Sequence, residues 1–150
     1  MPKNQRSKNH VAGQIVAINM KKNILFVCIE NSNRSQMAQA FAIIHGKDAV
    51  NAYSAGSAPS GKINPKAIAA MSELGYDLST HQSKPLTAMP DIVFDYVVTM
   101  GCGDACPFVI AHNREDWSIP DPRNMEETEF RNVRNLIEEK VIALLLKAGI

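Results

Sequence analysis

The run Ile24-Leu25-Phe26-Val27-Cys28 constrains this chain more than any other feature. Consecutive apolar residues rich in β-formers, with no polar alternation, read as a strand buried on both faces, as in parallel sheets. Polar residues 29–34 follow at once. Ser35 then opens Gln36–His45, a stretch of good helix formers with Met37, Ala40, Phe41 and Ile44 along one stripe and Gly46 as a stop. The unit is strand, tight polar loop, helix.

Related units recur downstream. Val50–Gly56 reads as a second strand, ended by the Gly/Ser/Pro loop 56–61. Asn64 can cap a helix that has Pro65 at its first position and Ala67, Ile68, Met71 and Leu74 on its apolar stripe. Tyr96–Met100 reads as a third buried strand, closed by Gly101. Residues 101–125 are rich in proline and glycine, with Trp117–Ile119 as a short fourth strand. A last helix over 126–147 presents Phe130, Val133, Ile137, Val141 and Leu144 at helical spacing. Strands alternating with helices predict an α/β fold: one three-layer domain over 21–150, with a small four-stranded parallel sheet covered on both faces. In such open sheets ligands bind at the carboxyl ends of strands, and Cys28, Gly101 and Cys102 stand at such ends.

Composition narrows the function classes. The chain has 150 residues, 45% of them apolar, and a net charge of +1, which excludes a disordered tail and a strongly basic nucleic-acid binder. No apolar run approaches the roughly 18 residues that span a bilayer. Three cysteines are an odd count, which argues for a cytoplasmic protein with available thiols rather than a secreted disulfide framework. Five basic residues precede the first acid, Glu30, and residues 1–20 read as a basic N-terminal extension without a signal peptide's apolar segment.

Between the first strand and helix lies Cys28-Ile29-Glu30-Asn31-Ser32-Asn33-Arg34-Ser35. A loop placed there can curl until its backbone N–H groups point inward, and the helix N-terminus adds positive potential. Glu30, Asn31, Ser32, Asn33, Arg34 and Ser35 would then form a cradle for a tetrahedral oxyanion, with the Arg34 fork on two of its oxygens. The same field favours a thiolate nucleophile at Cys28. Ser35 can donate a hydroxyl to that thiolate, and Asn31 can brace the loop.

Two further features remain open on the residues alone. Ile119-Pro120-Asp121-Pro122 reads as a rigid turn as readily as a site. Cys102 and Cys106 lie four apart on a glycine-containing loop, close enough to form a disulfide. They can also be two thiols of a metal site with His112, although a structural zinc wants four ligands and the spacing matches no common signature.

Phe26-Val27-Cys28 with Asn31, Arg34, Ser35, Gln36, Met37 and Ala38 resembles the low-molecular-weight protein tyrosine phosphatase superfamily. Gln36 after the serine, where the phosphatases usually carry proline, is similar to the thioredoxin-coupled arsenate reductase branch. The resemblance runs from residue 22 to about 147 and includes Tyr53–Ser57, Pro65 with its helix, and Asp121-Pro122. It implies the four-stranded fold, attack on arsenate or phosphate by Cys28, oxyanion binding by Arg34 and proton donation by Asp121. It also implies a relay in which Cys102 attacks Cys28, Cys106 attacks Cys102, and thioredoxin reduces the resulting pair. The second and third cysteines stand farther apart in that branch's best-known pattern.

Arsenate and thioredoxin are thus the expected partners of a monomer with no metal and no organic cofactor; a low-molecular-weight phosphatase is the alternative. Some relatives hold a potassium ion beside the cradle. Asn31 and Ser54 match two of its positions, but Gln39 and Lys84 stand where acids are expected. The rim, Ile29, Glu30, Ser57, Ala58 and Pro59, carries no aromatic to pack a phosphotyrosine ring, and Glu30 places a negative charge there. His45 and His81 read as helix-end and loop residues.

Overall fold

The structure, a computed structural model, describes residues 21–101 and 108–150. Strand β1 (Lys22–Cys28) leads into helix α1 (Arg34–Gly46), and β2 (Val50–Gly56) into α2 (Pro65–Ser72). Short 3-10 turns at Leu78–Thr80 and Leu86–Ala88 precede β3 (Phe94–Met100). The chain continues through β4 (Ala111–Trp117) to the long α3 (Glu127–Lys147). The four strands form one sheet in the order β2-β1-β3-β4. All pairs are parallel, with Cys28 opposite Gly56 and Val27 opposite Thr99. Connections leave β1 for one side and later return to the other, so the switch point falls at the carboxyl end of β1, where an open sheet leaves a crevice.

Side chains alternate across the sheet as its pleat requires. Ile24, Phe26 and Cys28 join Tyr96, Val98 and Met100 in the larger core, together with Met37 and Phe41 of α1, Met71 of α2 and Ile137 and Val141 of α3. Leu25 and Val27 face the other way, with Ala55, Phe94 and Val97, under Leu86, Met89 and Val109. Among the described residues, that second face is covered by a 3-10 turn and loops.

Helix α2 starts as its sequence predicts: Asn64 Oδ1 accepts from the Lys66 N–H at 3.0 Å and Pro65 occupies the first turn. Leu74, expected on the buried stripe, is 44% exposed, because α2 ends at Ser72 and the chain turns out through Gly75 at φ +80°. The fourth strand is Ala111–Trp117, not Trp117–Ile119. It is an edge strand with mostly exposed side chains, so it carries no apolar signature. Parallel pairing to β3 makes it, helped by Thr99 donating to Asp116 at 2.7 Å and by Trp117 packed on Phe26.

Candidate active site

The Cys28–Ser35 loop turns its carbonyls outward. Cys28, Ile29 and Glu30 accept from the backbone N–H groups of Ser57, Ala58 and Ser60, and Ser32 accepts from that of Asn64. The carbonyl of Asn31 accepts from Gln36 Nε2 at 3.1 Å, and that of Asn33 from the Met37 N–H at 2.9 Å. A loop whose carbonyls are all engaged outside presents its N–H groups to the inside. Helix α1 begins at Arg34 with no side-chain cap and no acid in its first turn, leaving its positive end open to an anion.

Two glycines make the curl feasible. A Cβ on Gly56 would lie 2.6 Å from the Ile29 carbonyl oxygen. Gly101 has φ +73°, and a Cβ there would overlap the Arg34 guanidinium. That guanidinium also donates to the Ile119 carbonyl at 3.1 Å, which fixes the fork and leaves its other N–H groups for a ligand.

Asn31 is the hub of the loop. It is fully buried and left-handed at φ +50°, a conformation asparagine tolerates. Its Nδ2 donates to Ser35 Oγ at 2.7 Å, and Ser35 Oγ lies 2.9 Å from Cys28 Sγ. With its lone pair engaged by Asn31, the serine hydroxyl can direct its own hydrogen to the sulfur. Asn31 Oδ1 accepts from Gln36 Nε2 at 2.8 Å and from the Lys84 N–H at 2.9 Å.

Behind this hub lies a network that sequence reading did not assign. Gln36 turns its Oε1 to His81 Nδ1 at 2.9 Å, and His81 Nε2 meets Tyr76 Oη at 2.6 Å. The amide oxygen accepts from His81 Nδ1–H, and in the neutral imidazole Nε2 accepts from the phenol. Burial, and then the charge of Lys84, hold His81 below the ordinary imidazole range. Burial also lowers Lys84 and raises Tyr76. The Gln82–Lys84 segment closes the network, with Ser83 Oγ donating to the Glu30 carbonyl at 3.0 Å. Gln36 belongs to the motif, but Tyr76, His81 and Lys84 carry no motif in sequence; only the tertiary fold brings them behind the cradle.

The expected cation positions do not fit a cation. Asn31 Oδ1 is filled by two donors, the Ser54 hydroxyl donates to Gln39 Oε1 at 2.6 Å, and the Lys84 ammonium donates to the Gln82 carbonyl at 3.0 Å. Among the described residues no cluster of three or more His, Cys, Asp or Glu side chains could hold a metal ion.

Cys28, Ile29, Glu30, Ser32, Asn33, Arg34, Asp121 and Arg123 line one pocket of about 210 Å³. That is below the roughly 300–1,000 Å³ of sites for drug-sized ligands. Asn33 Oδ1 is buried without a hydrogen-bond partner among the described residues. Asp121 stands opposite the cradle, its Oδ2 3.9 Å from Arg34 Nη2 and its Oδ1 accepting from the Arg123 N–H at 3.1 Å. Arg123, which sequence reading passed over, pairs with Glu30 at 2.9 Å. Cys28, Arg34 and Asp121 are thus brought together; Cys102 and Cys106 lie outside the described residues.

Residues 23–149 match the family model described as low molecular weight phosphotyrosine protein phosphatase. The chain belongs to that family. Within it, the relatives place the chain in the arsenate reductase branch. An arsenate reductase of Bacillus licheniformis is 43% identical, over 81% of this chain and 93% of its own. A glutaredoxin arsenate reductase of Synechocystis is 37% identical, over 84% of this chain and 98% of its own. The solved structure of a thioredoxin-dependent arsenate reductase of Corynebacterium glutamicum superposes with a TM-score of 0.70 at 28% identity, covering 93% of this chain and 71% of that one. Family membership accounts for the parallel sheet and the cysteine-to-arginine loop. Branch membership agrees with the glutamine at position 36, which binds the hub asparagine rather than ending the loop with a proline.

Proposed function

We propose that this chain reduces arsenate to arsenite through Cys28 and regenerates itself with Cys102 and Cys106. The observation that carries the reading is the contact of Gly101 with the Arg34 guanidinium. The residue bonded to Gly101 is Cys102, so the two-cysteine segment leaves β3 at the edge of the oxyanion site. A phosphatase needs the first cysteine and water, whereas a reductase cycle uses the two further thiols that follow Gly101 in the chain.

In the first step the Cys28 thiolate attacks arsenic while Asp121 donates a proton to a leaving oxygen, which departs as water. Arg34 and the cradle N–H groups hold the charge on the remaining oxygens. The Cys102 thiolate then attacks the Cys28 sulfur. The electron pair of the sulfur–arsenic bond passes to arsenic, which leaves as arsenite, and a Cys28–Cys102 disulfide forms. Cys106 attacks Cys102, returns the Cys28 thiolate and leaves a Cys102–Cys106 disulfide. A dithiol protein of the thioredoxin type supplies two electrons to that pair by exchange. No helix among the described residues is long and apolar enough to cross a membrane. We assign the reaction to the cytoplasm, where thioredoxin and arsenate meet, and to a monomer.

The test is arsenate-dependent NADPH oxidation with thioredoxin and thioredoxin reductase. Steady turnover that disappears in Cys102→Ser supports the relay, and Cys106→Ser is expected to release one arsenite per chain and stop. The same assay with glutathione and glutaredoxin decides between the two donors named for the relatives. Hydrolysis of an aryl phosphate without arsenite release would make the chain a phosphatase.

A further inference from the structure

The mouth of the pocket carries a contact that neither the oxyanion clamp nor the acid accounts for. Glu30 belongs to the cradle and Arg123 to the acid loop, 93 residues later, yet Arg123 Nη1 donates to Glu30 Oε1 at 2.9 Å. Arg123 is also fastened to Asp121, through the intervening proline and through its own N–H on Asp121 Oδ1 at 3.1 Å. Asp121 in turn faces Arg34 at 3.9 Å. The contacts Glu30–Arg123–Asp121–Arg34 span the pocket from one wall to the other, and Cys28 lies in the same pocket. Its described lining includes no aromatic side chain.

We propose that Glu30 and Arg123 form a clasp that selects bare tetrahedral oxyanions over their aryl esters. The inference rests on the arsenate reading for its substrate but adds residues and a selection step to it. An oxyanion bound for attack by Cys28 gives oxygens to the cradle N–H groups and to Arg34, and its remaining apical oxygen faces the acid loop. In arsenate or phosphate that apical oxygen is small, and the clasp stays shut. In an aryl ester the same oxygen carries a ring, which must part Glu30 from Arg123 to fit. The clasp costs the ester an ion pair and costs the inorganic ion nothing. Both side chains are partly exposed, at 54% for Arg123 and 36% for Glu30. Exposed pairs of this kind are weak, so the selection it provides is about five-fold rather than absolute.

The experiment reads binding at Cys28 without requiring turnover. Full-length protein is alkylated with iodoacetamide in the presence of inorganic phosphate or of phenylphosphonate, which cannot be hydrolysed, and modification of the Cys28 peptide is followed by mass spectrometry. The ratio of half-protecting concentrations, phenylphosphonate over phosphate, measures the selection. Glu30→Gln and Arg123→Ala are each expected to lower that ratio about five-fold. The double variant should lower it no further, and the swapped pair Glu30→Arg with Arg123→Glu should restore it. Taking a ratio cancels any charge effect common to both anions, and a merely structural role would not be rescued by the swap. A ratio unchanged in both single variants, additive effects in the double, or a swap that restores nothing would overturn the clasp. Arsenate reduction is assayed separately on the wild type. Its failure would sink the arsenate reading, while the protection ratio would still decide for or against the clasp.

Discussion

The two walls of the pocket are built differently. In the Cys28–Ser35 wall, Asn31, Ser32, Asn33, Arg34 and Ser35 are all buried, and the carbonyls are engaged by neighbouring loops and side chains. The facing wall is a short turn whose carboxylate, Asp121, has a side chain 47% exposed, accepts from the Arg123 backbone N–H and faces the Arg34 guanidinium at 3.9 Å. The first wall is fixed at folding, because buried polar groups must find partners or cost stability. The second is attached by contacts that water can replace. Under the proposed function, oxyanion binding needs donors already in place, whereas proton delivery needs only a carboxyl within reach; the two constructions suit those proposed tasks.

Substitutions can separate the walls. Cys28→Ser removes the proposed nucleophile and is expected to abolish arsenite release while leaving the melting temperature near that of the wild type. Asp121→Asn is expected to cut kcat/KM by about 10²–10⁴, the usual worth of a positioned acid, with no loss of stability in a urea melt. If stability falls with it, the facing wall is more structural than its exposure suggests. Asn31→Ala should do the reverse of a pure activity effect: it leaves Ser35 and Gln36 short of partners at a buried site and should cost about 1–3 kcal/mol of unfolding free energy, as well as activity. An Asn31→Ala protein as stable as the wild type would show that the hub is dispensable.

The smallest effect is expected from pH. His81 stands behind the fixed wall, and burial with the charge of Lys84 holds it below its ordinary value of 6.5. A depressed histidine binds protons more readily when unfolded. Its contribution to stability is therefore present above about pH 6.5 and lost as the pH falls toward and through the folded value. Thermal melts from pH 8 to about pH 5 should show a decline that is shallower in His81→Gln. Equal slopes in wild type and His81→Gln would remove His81 from the wall's support.

How much of this was legible depended on whether neighbours in space were neighbours in sequence. The cradle was legible because its strand, loop and helix are contiguous over 24–46, and its chemistry is concentrated in one stretch. The β4 strand was misplaced because an exposed edge strand needs backbone partners more than apolar side chains, and Ala111–Trp117 has its partner in β3. Arg123 drew no reading from the sequence; the fold sets it against Glu30, 93 residues away. Gln36 marked the branch in sequence, but its partner His81 read as a loop residue until the fold laid Gln82–Lys84 behind Asn31.

By itself, then, the sequence determined the order of the elements and the contiguous Cys28–Ser35 loop between β1 and α1. Periodicity, capping and the cysteine-to-arginine spacing are local properties, set by backbone sterics and by side chains a few residues apart. Only the tertiary structure decided which loop carries the cradle's carbonyls, which side chains hold Asn31, and how the acid turn meets the opposite wall. Those contacts join residues tens of positions apart, whose geometry is fixed by packing around the parallel sheet rather than by local preference.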